Sequence, residues 1–211
     1  MPNVLHFMDA GARIPPPLAA EIRKVAQASL KRHAARLELD GVDVALHVSP
    51  WSLAETGVGG YAPLPHFIQI TVDPANVNFA RCWRTELPAT VAHELHHARR
   101  WRGPGYGHTL LEALVSEGLA QHYEAQDRGE APIYARVSAD LPSLWAAAQT
   151  ELGSASYNHA RWFYGAAELP RWAGYTLGFE LVRRFLEDEG GNALIHAEVP
   201  AQRVWAAWPS G

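Results

Sequence analysis

The spacing of apolar residues changes from that of a β-strand to that of an α-helix near residue 85. Between residues 42 and 48, valine and leucine alternate with more polar residues, which is typical of a half-buried strand. From about Thr85 onwards, apolar residues recur every three or four positions, which predicts a helix with one buried face. A chain with strands early and helices late belongs to the α+β class.

The other periodic segments extend this prediction. The glycines and prolines of residues 57–65 indicate a loop, and a second strand is predicted over residues 67–72. Further helices are predicted after the Pro15–Pro17 run and near residues 109–126, 143–152 and 174–189, with a loop over 127–142. We therefore expect one domain over residues 1–211, with a small mixed sheet and the first long helices in 1–126 and a helical lobe in 127–211.

The composition excludes several classes of protein. A net charge of −4 does not favour a nucleic-acid binder, and no apolar run is long enough for a membrane span. The N-terminal residues lack the pattern of a signal peptide, so we expect a cytoplasmic protein without a membrane or nucleic-acid partner. The single cysteine, Cys82, excludes an internal disulfide and a cysteine-based metal site.

Residues 93–97 read His-Glu-Leu-His-His and lie in the helix predicted after Thr85. His93 and His97 are four residues apart, so their side chains lie one turn apart on the same face. Two imidazoles in this arrangement can each supply a nitrogen at about 2.0–2.1 Å to one tetrahedral zinc ion. Glu94 lies about 100° around the helix from His93, beside the metal position. This is the H-E-x-x-H pattern, in which the glutamate is a general base.

This pattern is not explained by chance. The chain has 11 histidines in 211 residues, and roughly 0.04 H-E-x-x-H matches are expected in a random sequence of this composition. The motif also falls in a segment that its apolar spacing independently predicts to be helical, which is the context that the chemistry requires.

A catalytic zinc site needs a third protein ligand, and Glu117 is the best candidate. It follows His97 by 20 residues and projects from the apolar stripe of the next predicted helix. A carboxylate on such a face is costly to bury unless it is paired or bound to a metal. Gly118 follows it, and we expect this glycine to let the helices that carry His97 and Glu117 approach closely.

Other residues compete for the third position. A metzincin would need glycine and histidine where this chain has Arg100 and Gly103, so that class is excluded. His108 ranks second but falls in the turn between two helices. Glu112 is expected to complete a capping box at the start of the next helix, and His96 is expected to lie beside the ligands or on the surface rather than bind the metal.

Two segments resemble a known family. Pro88–His97, and Leu111–Ala120 with its Ser-Glu-Gly-Leu-Ala run, are similar to an uncharacterised bacterial family described as predicted zinc-dependent proteases. The pattern also resembles the gluzincin group of the zincin superfamily, and the similarity covers roughly residues 85–187. The resemblance implies a zincin-like fold, zinc bound by His93, His97 and Glu117, and Glu94 as the base.

Gluzincin-type sites also use a tyrosine, histidine or arginine from later in the chain to stabilise the oxyanion. Tyr175 is the first candidate, because Gly174 and Gly178 flank it and allow close packing, and His159 is the second. In zincin-like folds a strand before the metal helix pairs with the substrate. By this resemblance, residues 67–72 or 59–61 would hold an extended peptide by its backbone.

These observations predict a zinc-dependent metallohydrolase that cleaves peptide bonds in a peptide or protein substrate. Two alternatives stay open at this point. The metal could stabilise a non-catalytic interaction or regulatory module, or the same site could act on a non-peptide amide.

Overall fold

The computed structural model describes residues 1–136, 140–166, 168–206 and 208. These residues form four strands and seven α-helices, so the protein is an α+β protein. The chain divides into two compact units, Met1–Arg102 and Gly103–Gly211, and the division precedes the helix that carries Glu117. The expectation of one domain over 1–211 stays a prediction, and residues 137–139 of the predicted loop lie outside the described residues.

The first unit contains a four-stranded mixed sheet. Its strands are β1 (Val4–Met8), β2 (Asp43–Val48), β3 (Val58–Leu64) and β4 (Phe67–Val72). Their order is β1-β2-β4-β3, with β1 and β4 parallel to β2 and β3 antiparallel to β4. The small mixed sheet predicted from the sequence is therefore confirmed, and β3 forms one of its edges.

Helices α1 (Pro16–Arg36) and α2 (Phe79–Trp101) belong to the same unit. They pack against each other, and α2 also packs on β3 and β4. The alternating strand residues supply this core, since every second side chain of β2 and β4 faces the same side. The fully buried members of these two strands are Val44, Leu46, Ile68, Ile70 and Val72.

The glycine- and proline-rich segment before β4 is a strand, so the prediction of a loop over residues 57–65 is wrong for β3. Glycine and proline weaken a central strand but are tolerated at an edge or a bulge. The pairing of β3 with β4 shifts register between Tyr61 and Leu64, and Pro63 lies within that irregularity.

Helix α2 begins at Phe79, earlier than the predicted start near Thr85, and Pro88 is inside the helix rather than in its first turn. A proline inside a helix costs about 3 kcal/mol. Phe79, Trp83 and Leu87 are all buried at four-residue spacing, and this apolar stripe extends the helix through the proline.

The second unit is helical. It contains α3 (Leu110–Arg128), a 3₁₀ turn (Ile133–Ala135), α4 (Leu141–Gln149), α5 (His159–Phe163), α6 (Ala173–Glu189) and α7 (Ala201–Trp205). Its main contact is between α3 and α6, and the predicted helices over 109–126, 143–152 and 174–189 correspond to α3, α4 and α6.

Helices α3 and α6 cross at two glycines. A Cβ added to Gly118 would lie 2.1 Å from the carbonyl oxygen of Gly178, and one added to Gly178 would lie 2.3 Å from that of Leu114. We expected Gly118 to allow close approach of the helix that carries His97. This expectation is wrong, because the closest neighbours of Gly118 belong to α6.

In the part of the chain that the structure describes, none of the helices has the length and apolar character that crossing a membrane requires.

Candidate metal centre

The H-E-x-x-H residues lie in the buried middle of α2. His93, Glu94 and His97 are 6%, 6% and 4% exposed. The Nε2 atoms of the two histidines are 3.1 Å apart, so both nitrogens face the same point. Two ligands of a tetrahedral zinc ion with bonds of about 2.05 Å are separated by roughly 3.3 Å. The pair therefore has the separation that a shared metal ion requires.

The start of α3 is fixed by a capping box. The Thr109 hydroxyl accepts a hydrogen bond from the Glu112 amide, and Glu112 accepts from the Thr109 amide. Glu112 also accepts from the backbone amide of His108 at 2.8 Å. These backbone hydrogen bonds keep the pKa of Glu112 below its ordinary value, and the role predicted for Glu112 as a cap partner is confirmed.

Glu117 lies two turns into α3 and is 6% exposed. The hydroxyl group of Tyr106 donates a hydrogen bond to its Oε1 atom at 2.7 Å. Burial, followed by the charge of Glu117, raises the pKa of Tyr106 well above its ordinary value. Tyr106 is therefore a neutral hydrogen-bond donor to this carboxylate.

His93, His97 and Glu117 form a group that can hold a metal ion. Each offers one ligand atom, these atoms all lie within 4.8 Å of one another, and all three residues are buried. Two imidazole nitrogens and one carboxylate oxygen are a known ligand set of catalytic zinc. The residues predicted from the sequence as metal ligands are thus close enough to bind one ion.

The other candidates for the third ligand have different surroundings. His108 is exposed, and Glu112 is engaged in the capping box. His96 is fully buried, which excludes the expected alternative of a surface position. Among the described residues, His93, His97 and Glu117 are the group found with metal-ligand geometry.

Each of the two residues predicted to stabilise the oxyanion contacts a tyrosine side chain. Nδ1 of His159 and the Tyr157 hydroxyl are joined by a hydrogen bond of 3.1 Å. Burial lowers the pKa of His159, and the charge of Glu117 opposes this shift. Tyr175 lies in the first turn of α6, with its ring 5.1 Å from that of Tyr134. The catalytic roles of Tyr175 and His159 stay predictions.

The sequence did not predict a role at the site for three tyrosines: Tyr106, Tyr134 and Tyr157. Burial raises the pKa of Tyr157 to about 12, and the charge of Glu117 adds to the shift. The hydroxyl of Tyr134 donates to Glu124, one of α3's buried acids. Only Tyr106 has a signal in the sequence, since it lies between two glycines just before α3.

Glu94 lies directly beneath the edge strand β3. A Cβ added to Gly60 would be 2.5 Å from Oε1 of Glu94 and 2.6 Å from Cγ2 of Thr90. Only glycine fits this approach without moving the carboxylate. The strand therefore passes next to the residue predicted to be the general base.

The backbone of Gly60 faces the open side of β3. Neighbouring residues of an antiparallel strand direct their N–H and C=O groups alternately to the two sides. The Val58 amide donates to Oγ1 of Thr56, and its carbonyl accepts from the Leu53 amide, so Val58 faces away from β4. Gly60, two residues further on, faces the same way and is exposed.

The open stretch of this edge is short. The carbonyl oxygen of Ala62 accepts a hydrogen bond from the indole of Trp101 at 2.8 Å, and Pro63 has no N–H to donate. Hydrogen bonds within the protein thus engage the edge of β3 on both sides of Gly60. The accessible part of the edge is formed by the backbone groups of Gly60, next to Glu94.

The protein has an α+β fold, and His93, His97 and Glu117 form a group that could hold a metal ion. The chain matches the family described as "Predicted Zn-dependent protease (DUF2268)" over residues 22–206. It therefore belongs to this family, and the predicted resemblance to the family of zinc-dependent proteases is confirmed. No curated protein and no solved structure was found to match the chain.

Proposed function

We propose that the protein is a zinc-dependent peptidase with a zincin-like, gluzincin-type site. The observation that carries the proposal is the buried group of His93, His97 and Glu117, with ligand atoms within 4.8 Å of one another. The description of the family, which names zinc and a protease, supports the same function. A carboxylate and two imidazoles favour zinc over magnesium or calcium, which prefer all-oxygen sites.

A zinc ion bound by these residues would lower the pKa of a water molecule and polarise the substrate carbonyl. Glu94 then acts as general base and takes a proton from the attacking water. The water oxygen bonds to the carbonyl carbon, the C–N bond breaks, and the same carboxyl group returns the proton to the leaving amine. Its position under Gly60 holds this carboxylate at a fixed place beside the open strand edge.

The substrate is held as an extended backbone against the open part of β3 at Gly60. The N–H and C=O groups of Gly60 are directed to the open side, next to Glu94, and a peptide that pairs with them places an amide bond beside the general base. A neutral donor at Tyr175 or His159 stabilises the negative charge that develops on the carbonyl oxygen. Recognition by backbone hydrogen bonds favours a peptide over another amide.

The experiment that tests this function measures zinc content and turnover of the same purified protein. We expect about one zinc per chain and cleavage of members of a mixed peptide library. Glu94→Gln keeps the zinc but loses turnover by at least about 100-fold, because general-base catalysis contributes about 10²–10⁴. Exposed Glu187 gives the matched control, and Glu187→Gln retains both zinc and turnover.

Two results would contradict the proposal in different ways. A purified protein that does not bind added zinc has no metal site of this kind. A protein that binds zinc but cleaves no peptide in the library would be the non-catalytic interaction module, or an amidase acting on another substrate.

A further inference from the structure

The loop before α3 places one tyrosine on the carboxylate of Glu117. Tyr106 lies between Gly105 and Gly107, whose φ angles are 84° and 97°. These angles lie in the region that glycine adopts readily and other residues rarely do. The loop conformation therefore depends on the two glycines that flank the tyrosine.

The loop is also held from the helix side. A Cβ added to Gly107 would lie 2.2 Å from Cβ of Glu112, so this glycine packs directly on the capping residue. Glu112 in turn accepts hydrogen bonds from the amides of His108 and Thr109 at 2.8 and 2.9 Å. The capping box thus anchors both the start of α3 and the loop that carries Tyr106.

We propose that Tyr106 is a positioning residue that orients Glu117 for metal binding through its hydroxyl group. The inference depends on the proposed zinc site. The 2.7 Å hydrogen bond to Oε1 restricts rotation of the carboxylate, so that its oxygens are already placed when the metal binds. Hydrogen bonds of this kind to metal-binding side chains fix their orientation and contribute 10–100-fold to metal affinity.

A neutral donor suits this role better than a cation would. A lysine or arginine in the place of Tyr106 would neutralise the carboxylate and compete with the metal for it. The phenol holds one oxygen while Glu117 keeps its negative charge for the metal.

The test measures zinc affinity of the full chain by competition with a chromophoric chelator. Tyr106→Phe removes one oxygen atom and keeps the ring, and we expect zinc to bind about 10–100-fold more weakly. Tyr134→Phe is the matched control, since the Tyr134 hydroxyl donates to Glu124, and we expect a smaller loss of zinc affinity in this variant than in Tyr106→Phe. Circular dichroism of each variant establishes that it is folded.

A double-mutant cycle separates positioning from a general effect on the fold. In a Glu117→Ala background, Tyr106→Phe should not change zinc affinity further, because the carboxylate that it orients is gone. Equal loss in both backgrounds, or wild-type affinity in Tyr106→Phe alone, would overturn the inference. Absence of zinc binding by the wild type would refute the proposed function itself, so the two failures are distinguishable.

Discussion

At the scale of single residues, the contact between Gly60 and Glu94 leads to a direct prediction. Gly60→Ala places a methyl group where Oε1 of Glu94 now lies, 2.5 Å from the new Cβ. The carboxylate must move, and displacing a catalytic group by about 1 Å can cost about 100-fold in rate. We expect turnover to fall by about this factor while zinc content stays the same.

Gly59→Ala is the control for this substitution. It alters the same strand, but its Cβ would meet Thr71 and the Trp51–Ser52 backbone rather than Glu94. Turnover should then remain much closer to that of the wild type. If both variants lose activity equally, strand disturbance rather than displacement of Glu94 is the cause.

At the scale of elements, His122 links α3 to α6. Its Nε2–H donates to the carbonyl oxygen of Phe179 at 2.8 Å, and the two rings stack 4.0 Å apart. Burial lowers the pKa of His122, the positive charge of Arg183 lowers it further, and the Phe179 carbonyl and Glu180 oppose the shift. The neutral imidazole is therefore the form that the packed helices favour.

The pH dependence of stability follows from this shift. In the unfolded chain the histidine has a pKa of about 6.5, higher than in the folded protein. The unfolded state binds more protons below that pH, so the free energy of unfolding decreases as the pH falls from about 6.5 towards the folded pKa. His122→Gln keeps a donor but does not titrate, and we expect a smaller decrease between about pH 7.5 and about pH 5.5.

Urea denaturation of both proteins at the two pH values measures this difference. The other histidines are common to the two chains, so their titration cancels in the comparison. Parallel curves for wild type and His122→Gln would contradict the prediction.

Elements that depend on local spacing were predictable from the sequence, and those that depend on tertiary contacts were not. His93 and His97 share a face because of helix geometry alone, and the capping box of Thr109 and Glu112 is equally local. Phe79 and Trp83 continue the helical spacing of Leu87 towards the N-terminus, but Pro88 favours a helix start near Thr85, so the early start of α2 was not predicted. Propensity likewise disfavours β3, which forms because β4 offers it a partner.

The same distinction applies to the candidate site. Glu117 was predictable as a carboxylate on an apolar stripe, because burying it needs a compensating partner. Tyr106 was not, because its hydrogen bond to Glu117 spans 11 residues and a loop. The glycines on either side of it allow such a loop but do not specify where the side chain points.

At the scale of the whole molecule, a zinc ion bound at the proposed site would couple metal binding to folding stability. An ion that binds only the folded state stabilises it by about 2.7 kcal/mol at a concentration of about 100 times its Kd. We expect removal of the metal by a chelator to lower the free energy of unfolding by about this amount, and added zinc to restore it.

Urea denaturation with and without zinc measures the effect. Glu117→Ala should reduce the stabilisation by zinc, because one of the three proposed ligands is lost. Glu187→Ala, which removes an exposed carboxylate from α6, should respond to zinc as the wild type does. Equal responses of both variants would mean that Glu117 does not contribute to the site.

The short open edge of β3 also bears on self-association. An exposed edge strand can pair with the same edge of another copy and so initiate aggregation. Here Thr56 and Leu53 engage the edge at Val58, Trp101 engages it at Ala62, and Pro63 interrupts it. A second chain would find too few consecutive backbone groups for a stable intermolecular ladder, although one extended residue can still be accommodated at Gly60.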